Sequence, residues 1–249
     1  MSTTRRVHLE PAWLLHQRDF RDSSRIVEFY TRDHGRVALF ARGVRGAKSR
    51  YAALLQPFVP LLVSWTGSGD GGAFAGAEAA GAPMAVAPRC LMSAFYANEL
   101  LMKLLVREDP HPDIYEMYGT LLASLVDPAT ELRGLRLFEK RLLDSLGFGA
   151  DYVQLSTSGE AIEASRYYHV HAGRGVTAPA AGPEAADCYR GEDLLSLAAE
   201  DLGTPSALQA ARRLLRAAIG EALEGRPLET RRVARAVRAG RQESEETSG

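Results

Sequence analysis

Residues 79–90 read AAGAPMAVAPRC, and the hydrophobic period changes across them. On the N-terminal side lie five short runs rich in β-branched and aromatic residues: 12–20, 24–31, 36–43, 57–65 and 73–80. Gly, Asp and Ser clusters such as RDHG and TGSGDGG separate them, which is the pattern of strands joined by turns. Pro60 places its run at an edge, a bulge or a strand start. On the C-terminal side the apolar spacing becomes helical, first over 90–109, then 114–126 and 127–147, with Gly147 placed to cap the third. Strands before helices predict an α+β chain.

The strand count fits a five-stranded OB-type barrel over residues 1–80, and an SH3-like barrel equally. The small-residue stretch 81–88 is the expected linker, and 89–240 the expected mainly helical domain. Within it the helical pattern lapses over 148–190, where RYYHVH (166–171) reads as a strand inside an irregular insertion. Helices resume at 191–203 and 204–225. In the latter, Thr204 stands at the N-cap, Pro205 at the first helical position and Gly225 past the end. A last helix is expected near 229–240 and a disordered tail over 241–249.

Charge is segregated. The chain of 249 residues has a formal net charge of −1. Residues 1–85 hold 11 Lys/Arg against 7 Asp/Glu, residues 86–211 hold 10 against 18, and residues 212–241 hold 9 against 3. Such asymmetry points to an anionic partner at the basic parts. The densest part is ARGVRGAKSR, residues 41–50. Arg25, Arg32, Arg36, Arg42, Arg45, Lys48 and Arg50 are the candidate DNA-binding residues, with Phe29, Tyr30, Phe40 and Tyr51 as candidate stacking platforms. Six cations on the phosphates of one strand would give log K a slope of about −4 against log salt. A solvated basic loop, or an acidic protein partner, remains open at this point.

Other features carry less chemistry. Arg133, Arg136 and Lys140 line the edge of an apolar helix face made by Leu132, Leu135, Phe138, Leu142, Leu143 and Leu146, a pattern suited to an acidic peptide ending in an apolar residue or to plain amphipathicity. His169 and His171 share one strand face without a third metal donor of suitable spacing. No metal or other cofactor is therefore expected. Cys90 and Cys188 lack any C-x-x-C spacing and read as buried small residues. GSGDGG lacks the Lys-Ser/Thr of a P-loop and reads as a hairpin turn. Nucleophile motifs are absent, so an enzyme is not expected. Charges interrupt every apolar run, and the N-terminus lacks a secretory h-region, so a cytoplasmic protein without a membrane span is expected.

Three stretches together carry a resemblance: AWLLHQRDFRDSSRIVEFYTRDHGRVALFARGVRGAKSRYAALLQPF, FYANELLMKLLVREDPHPDIYEMY and LRLFEKRLLDSLGF. In order and spacing the chain resembles the bacterial DNA repair protein RecO family of recombination mediators. The resemblance implies an OB-fold followed by a helical domain. It implies binding of single- and double-stranded DNA, annealing of complementary strands, and no turnover. The implied partners are the acidic C-terminal tail of the single-stranded-DNA-binding protein, which Arg133, Arg136 and Lys140 would meet, and the mediator RecR, with which RecA recombinase is loaded at the nucleoid. Many members carry a four-cysteine zinc module where this chain has 148–190. Only Cys188 remains here, so that zinc is not carried over. The alternative is an OB-fold adaptor that binds an acidic protein and no nucleic acid. The basic helix Arg231–Arg238 could extend either surface.

Overall fold

The computed structural model describes residues 6–45, 49, 51–68, 70–182 and 187–236. Five strands, β1 (Arg6–Phe20), β2 (Ser24–Thr31), β3 (Gly35–Ala41), β4 (Pro60–Thr66) and β5 (Asp70–Ala79), close a barrel in the order β1-β2-β3-β5-β4. The pairs are antiparallel except β3 with β5, which is parallel. The OB-type expectation holds. Pro60 opens β4 opposite Trp13, where its missing N–H costs least. Within GSGDGG, Gly67 follows β4 and Gly71 lies at the start of β5, and both take positive φ.

The barrel interior is filled by Leu14, Val27, Phe29, Val37, Leu39, Leu61, Val63 and Trp65. On β2, Val27 and Phe29 point inward while Ile26, Glu28 and Tyr30 point outward. On β3, Val37 and Leu39 point inward and Arg36, Ala38 and Phe40 outward. Yet Glu28, Tyr30, Arg36 and Ala38 are also buried. Their cover comes from α1 (Leu91–Leu104), α2 (Pro112–Ser124) and the segment between them. Tyr30 donates its hydroxyl to the His111 carbonyl at 2.8 Å, and its ring lies 5.8 Å from Tyr115. Trp13 meets Tyr118 edge-on at 5.6 Å. Asn98 of α1 donates to the Leu15 carbonyl at 3.0 Å.

By internal contacts the chain forms two units, 1–128 with 228–249, and 129–227. The two helices that follow residues 81–88 pack on the barrel. Residues 229–236 are helical. Glu99 of α1 receives the amides of Glu229 and Thr230 at 2.7 and 2.9 Å, which ties this segment to the barrel unit.

The second unit contains α3 (Glu131–Ser145), a three-stranded sheet of β6 (Tyr167–His171), β7 (Gly175–Ala180) and β8 (Cys188–Arg190), then α4 (Gly191–Ala198) and α5 (Pro205–Ala222). The sheet order is β7-β6-β8. RYYHVH forms its central strand, as expected; β7 carries too many Gly, Ala and Pro residues to read as a strand, and β8, three residues long, is too short to show a period. α3 ends as Gly147 predicted: the amide of Gly147 donates to Asp144 O at 3.1 Å and that of Phe148 to Leu143 O at 2.8 Å, with Gly147 at φ 78°. Thr204 caps α5 by accepting from the Ala207 amide at 3.2 Å.

Candidate nucleic-acid interface

The outer face of β1-β2-β3 is covered at one end and open at the other. Across the open end lie His16, Arg18 and Phe20 of β1, Ile26 of β2 and Phe40 of β3, in register as Arg18↔Ile26 and Ile26↔Phe40. Phe40 is 38% exposed, an unusual cost for a large ring, and sits 5.4 Å from the half-buried Phe20. Gly71 lies beside the Phe40 ring, where a Cβ would stand 3.5 Å from Cε2. Exposed aromatics on this face of an OB barrel are the groups on which unpaired bases stack.

Arginines cluster at the same end of the barrel. Arg18, Arg21 and Arg42 are exposed. Arg21 lies over the Phe20 ring at 5.2 Å. Arg45 reaches back from the β3–β4 loop to the β1–β2 turn. There it bonds the Arg21 carbonyl at 3.2 Å and pairs with Asp19 at 3.3 Å. Arg25 shares Asp19 at 3.1 Å and bonds Gln17. Five arginines therefore meet two aspartates, Asp19 and Asp22, at this end of the barrel.

The structure distributes the other expected residues differently. Arg36 is 8% exposed; it pairs with Glu28 at 3.2 Å and donates to the carbonyls of Leu101 and Met102. Burial pulls its pKa below the usual value, against the pull of Glu28. It is a tie between barrel and helix, not a phosphate ligand. Arg32 lies in the β2–β3 turn, seven residues along β2 from Arg25, roughly 23 Å at the rise of a strand. It forks onto Asp33 at 2.9 Å, which holds that carboxyl below its ordinary pKa. Lys48 and Arg50 lie outside the described residues. Of the expected platforms, Phe29 and Tyr30 are core, and the half-buried Tyr51 packs edge-on against Phe74 at 5.1 Å. Arg18, Phe20 and Arg21 were missed. The signal was present in HQRDFRD: Arg18 and Phe20 share one strand face with Phe40 across the sheet.

In the second unit the basic stripe is broken. Arg133 is exposed beside Leu132, itself 58% exposed. Arg136 is buried against Glu139 at 3.0 Å, and Lys140 is held by Asp144 at 2.8 Å. Leu135, Phe138, Leu142 and Leu143 are core. The histidine pair gains what the sequence did not show: Asp187 and Cys188 come to His169 from β8 and the residue before it. No helix among the described residues is long and apolar enough to cross a membrane.

Strand order defines the class, an OB-type barrel followed by a mainly helical part. Comparison with known proteins gives the family. The profile described as "Recombination protein O N terminal" matches residues 5–80, and that described as "Recombination protein O C terminal" matches 88–232. Proteins named "DNA repair protein RecO" from Alkalilimnicola ehrlichii, Methylococcus capsulatus and Nitrosococcus oceani are 43%, 39% and 39% identical to it. The alignments cover 91%, 92% and 91% of this chain and 90%, 94% and 92% of theirs. The chain belongs to the RecO family.

Proposed function

We propose that the chain acts in DNA repair and recombination as a mediator without turnover. Unpaired bases stack on Phe20 and Phe40 while Arg18, Arg21, Arg42 and Arg45 neutralise phosphates. Duplex DNA engages the same cations without the rings. Lowering the repulsion between two strands favours their annealing. Leu132 and Arg133 on the first turn of α3 offer an apolar contact and a free charge to the acidic tail of the single-stranded-DNA-binding protein. Docking there brings the barrel to coated DNA, where recombinase is loaded together with RecR.

The observation that carries this reading is the exposed Phe40 beside Phe20 at the arginine-rich open end of the barrel, in a family whose relatives are named for DNA repair. Replacing Phe20 and Phe40 by Ala is expected to cost about 1–3 kcal/mol per stacked base on single strands and much less on duplex. Fluorescence anisotropy with labelled oligonucleotides reads both. Equal losses on the two substrates would remove the stacking role. Full-length chain that binds neither at low salt, and instead binds an acidic protein, would replace this reading by the adaptor.

A further inference from the structure

The small sheet of the second unit gathers donors of three chemical kinds. β6 and β8 are antiparallel with His169 opposite Cys188, so both side chains leave the sheet on one face. Asp187 Oδ2 lies 2.9 Å from His169 Nδ1. Cys188 Sγ lies 3.5 Å from that nitrogen and 4.0 Å from Nε2. One donor atom from each of the three falls within 4.8 Å of the others. His171, two residues along β6 on the same face, has Nε2 at 3.6 Å from Asp187 Oδ2. Cys188 is buried, and the rings and carboxylate are partly open to solvent.

We propose that His169, Asp187 and Cys188, completed by His171, bind one divalent cation of borderline softness, with Zn2+ the occupant. A tetrahedral shell with metal–sulfur near 2.3 Å and metal–nitrogen near 2.0 Å sets neighbouring donors about 3.3–3.7 Å apart, close to the separations already present. Mg2+ and Ca2+ require oxygen donors, which the imidazoles and thiol do not supply. The charges balance. Carboxylate and thiolate together neutralise a dication, and the Cys188 thiol loses its proton to solvent as the sulfur ligates. When Nδ1 ligates, the neutral His169 ring carries its hydrogen on Nε2. The donors come from facing strands of one sheet, without the cysteine pairs of a four-cysteine module. The bound ion would clamp β8 to β6 just before the chain enters α4. The inference does not depend on the DNA reading.

The test is Co2+ titration of the metal-free, untagged full-length chain, followed by displacement with Zn2+. One equivalent of Co2+ is expected, with thiolate-to-cobalt charge-transfer absorption. That absorption should vanish in Cys188→Ser and persist in Cys90→Ser, and His169→Gln should weaken binding ~10-fold or more. Alkylation of the unmodified chain guards against a variant that fails to fold: Zn2+ should slow modification of Cys188 and leave Cys90 unchanged. Saturating Co2+ without the charge-transfer band, a band that survives Cys188→Ser, or unchanged alkylation of Cys188 would each overturn the site.

Discussion

Arg36 and Arg42 lie six residues apart, on or just past one strand, and do opposite work. Arg36 is spent on the interior: Glu28, 6% exposed, holds both Arg36 and Arg107. Removing Arg36 strands a buried carboxylate with one half-exposed partner, so Arg36→Ala should cost about 3 kcal/mol in a urea titration. Replacing the pair together, Arg36→Met with Glu28→Leu, should recover most of that loss. The folded fraction of Arg36→Ala should keep its DNA affinity. Arg42→Ala should show the reverse, unchanged stability with a salt slope smaller by about 0.7. If Arg36→Ala instead weakened DNA binding at full stability, the division of the outer face would be wrong. Composition could not separate these two residues. Both follow an apolar residue in a basic stretch, and only the helices packed on the barrel distinguish them.

Among elements, α1 meets the helical residues 229–236 through Glu99 and Tyr96. Partial burial works to raise the Glu99 pKa. Hydrogen bonds from Thr230, Glu229 and Lys103 outweigh it and leave the group below its ordinary value. A carboxyl depressed in the folded state contributes stability in full above its unfolded pKa, and loses it as pH falls through the folded one. Acid should therefore weaken the hold on this segment. At neutral pH, Glu99→Gln should cost about 1–2 kcal/mol and speed hydrogen exchange at the Glu229 and Thr230 amides. Unchanged exchange would mean that the ring contact of Arg231 with Tyr96, 5.5 Å, holds the segment unaided. Strands, helix ends and caps were largely legible, because Gly147, Thr204 and Pro60 act through local backbone geometry. The covered half of the barrel was not. Alternation along β2 and β3 breaks down where Glu28, Tyr30, Arg36 and Ala38 are buried by residues some 60–90 positions away, and no local pattern records that. The donors at His169 escaped for the same reason: cross-strand register, not spacing, brings Cys188 to it.

For the whole molecule, the chain leaves the barrel unit after residue 128 and returns at 228. Deleting 228–249 should loosen α1, where Tyr96 and Glu99 hold the returning segment, and leave α5 protected, although α5 is nearer in sequence. Hydrogen exchange resolved along the chain distinguishes the two. The charge asymmetry acquires a place as well, since the N-terminal excess of arginine gathers at the end of the barrel that α1 and α2 leave open. Single-strand binding by that open end is best tested by fluorescence anisotropy of the full chain and of Phe20→Ala/Phe40→Ala, each titrated with labelled single strand and duplex across a salt series. Four phosphate contacts from Arg18, Arg21, Arg42 and Arg45 predict a single-strand slope of about −3, steepening toward about −4 with Lys48 and Arg50, and a loss in the variant confined mainly to the single strand. A salt-independent affinity, or a variant that binds single strands as tightly as the original, would contradict it.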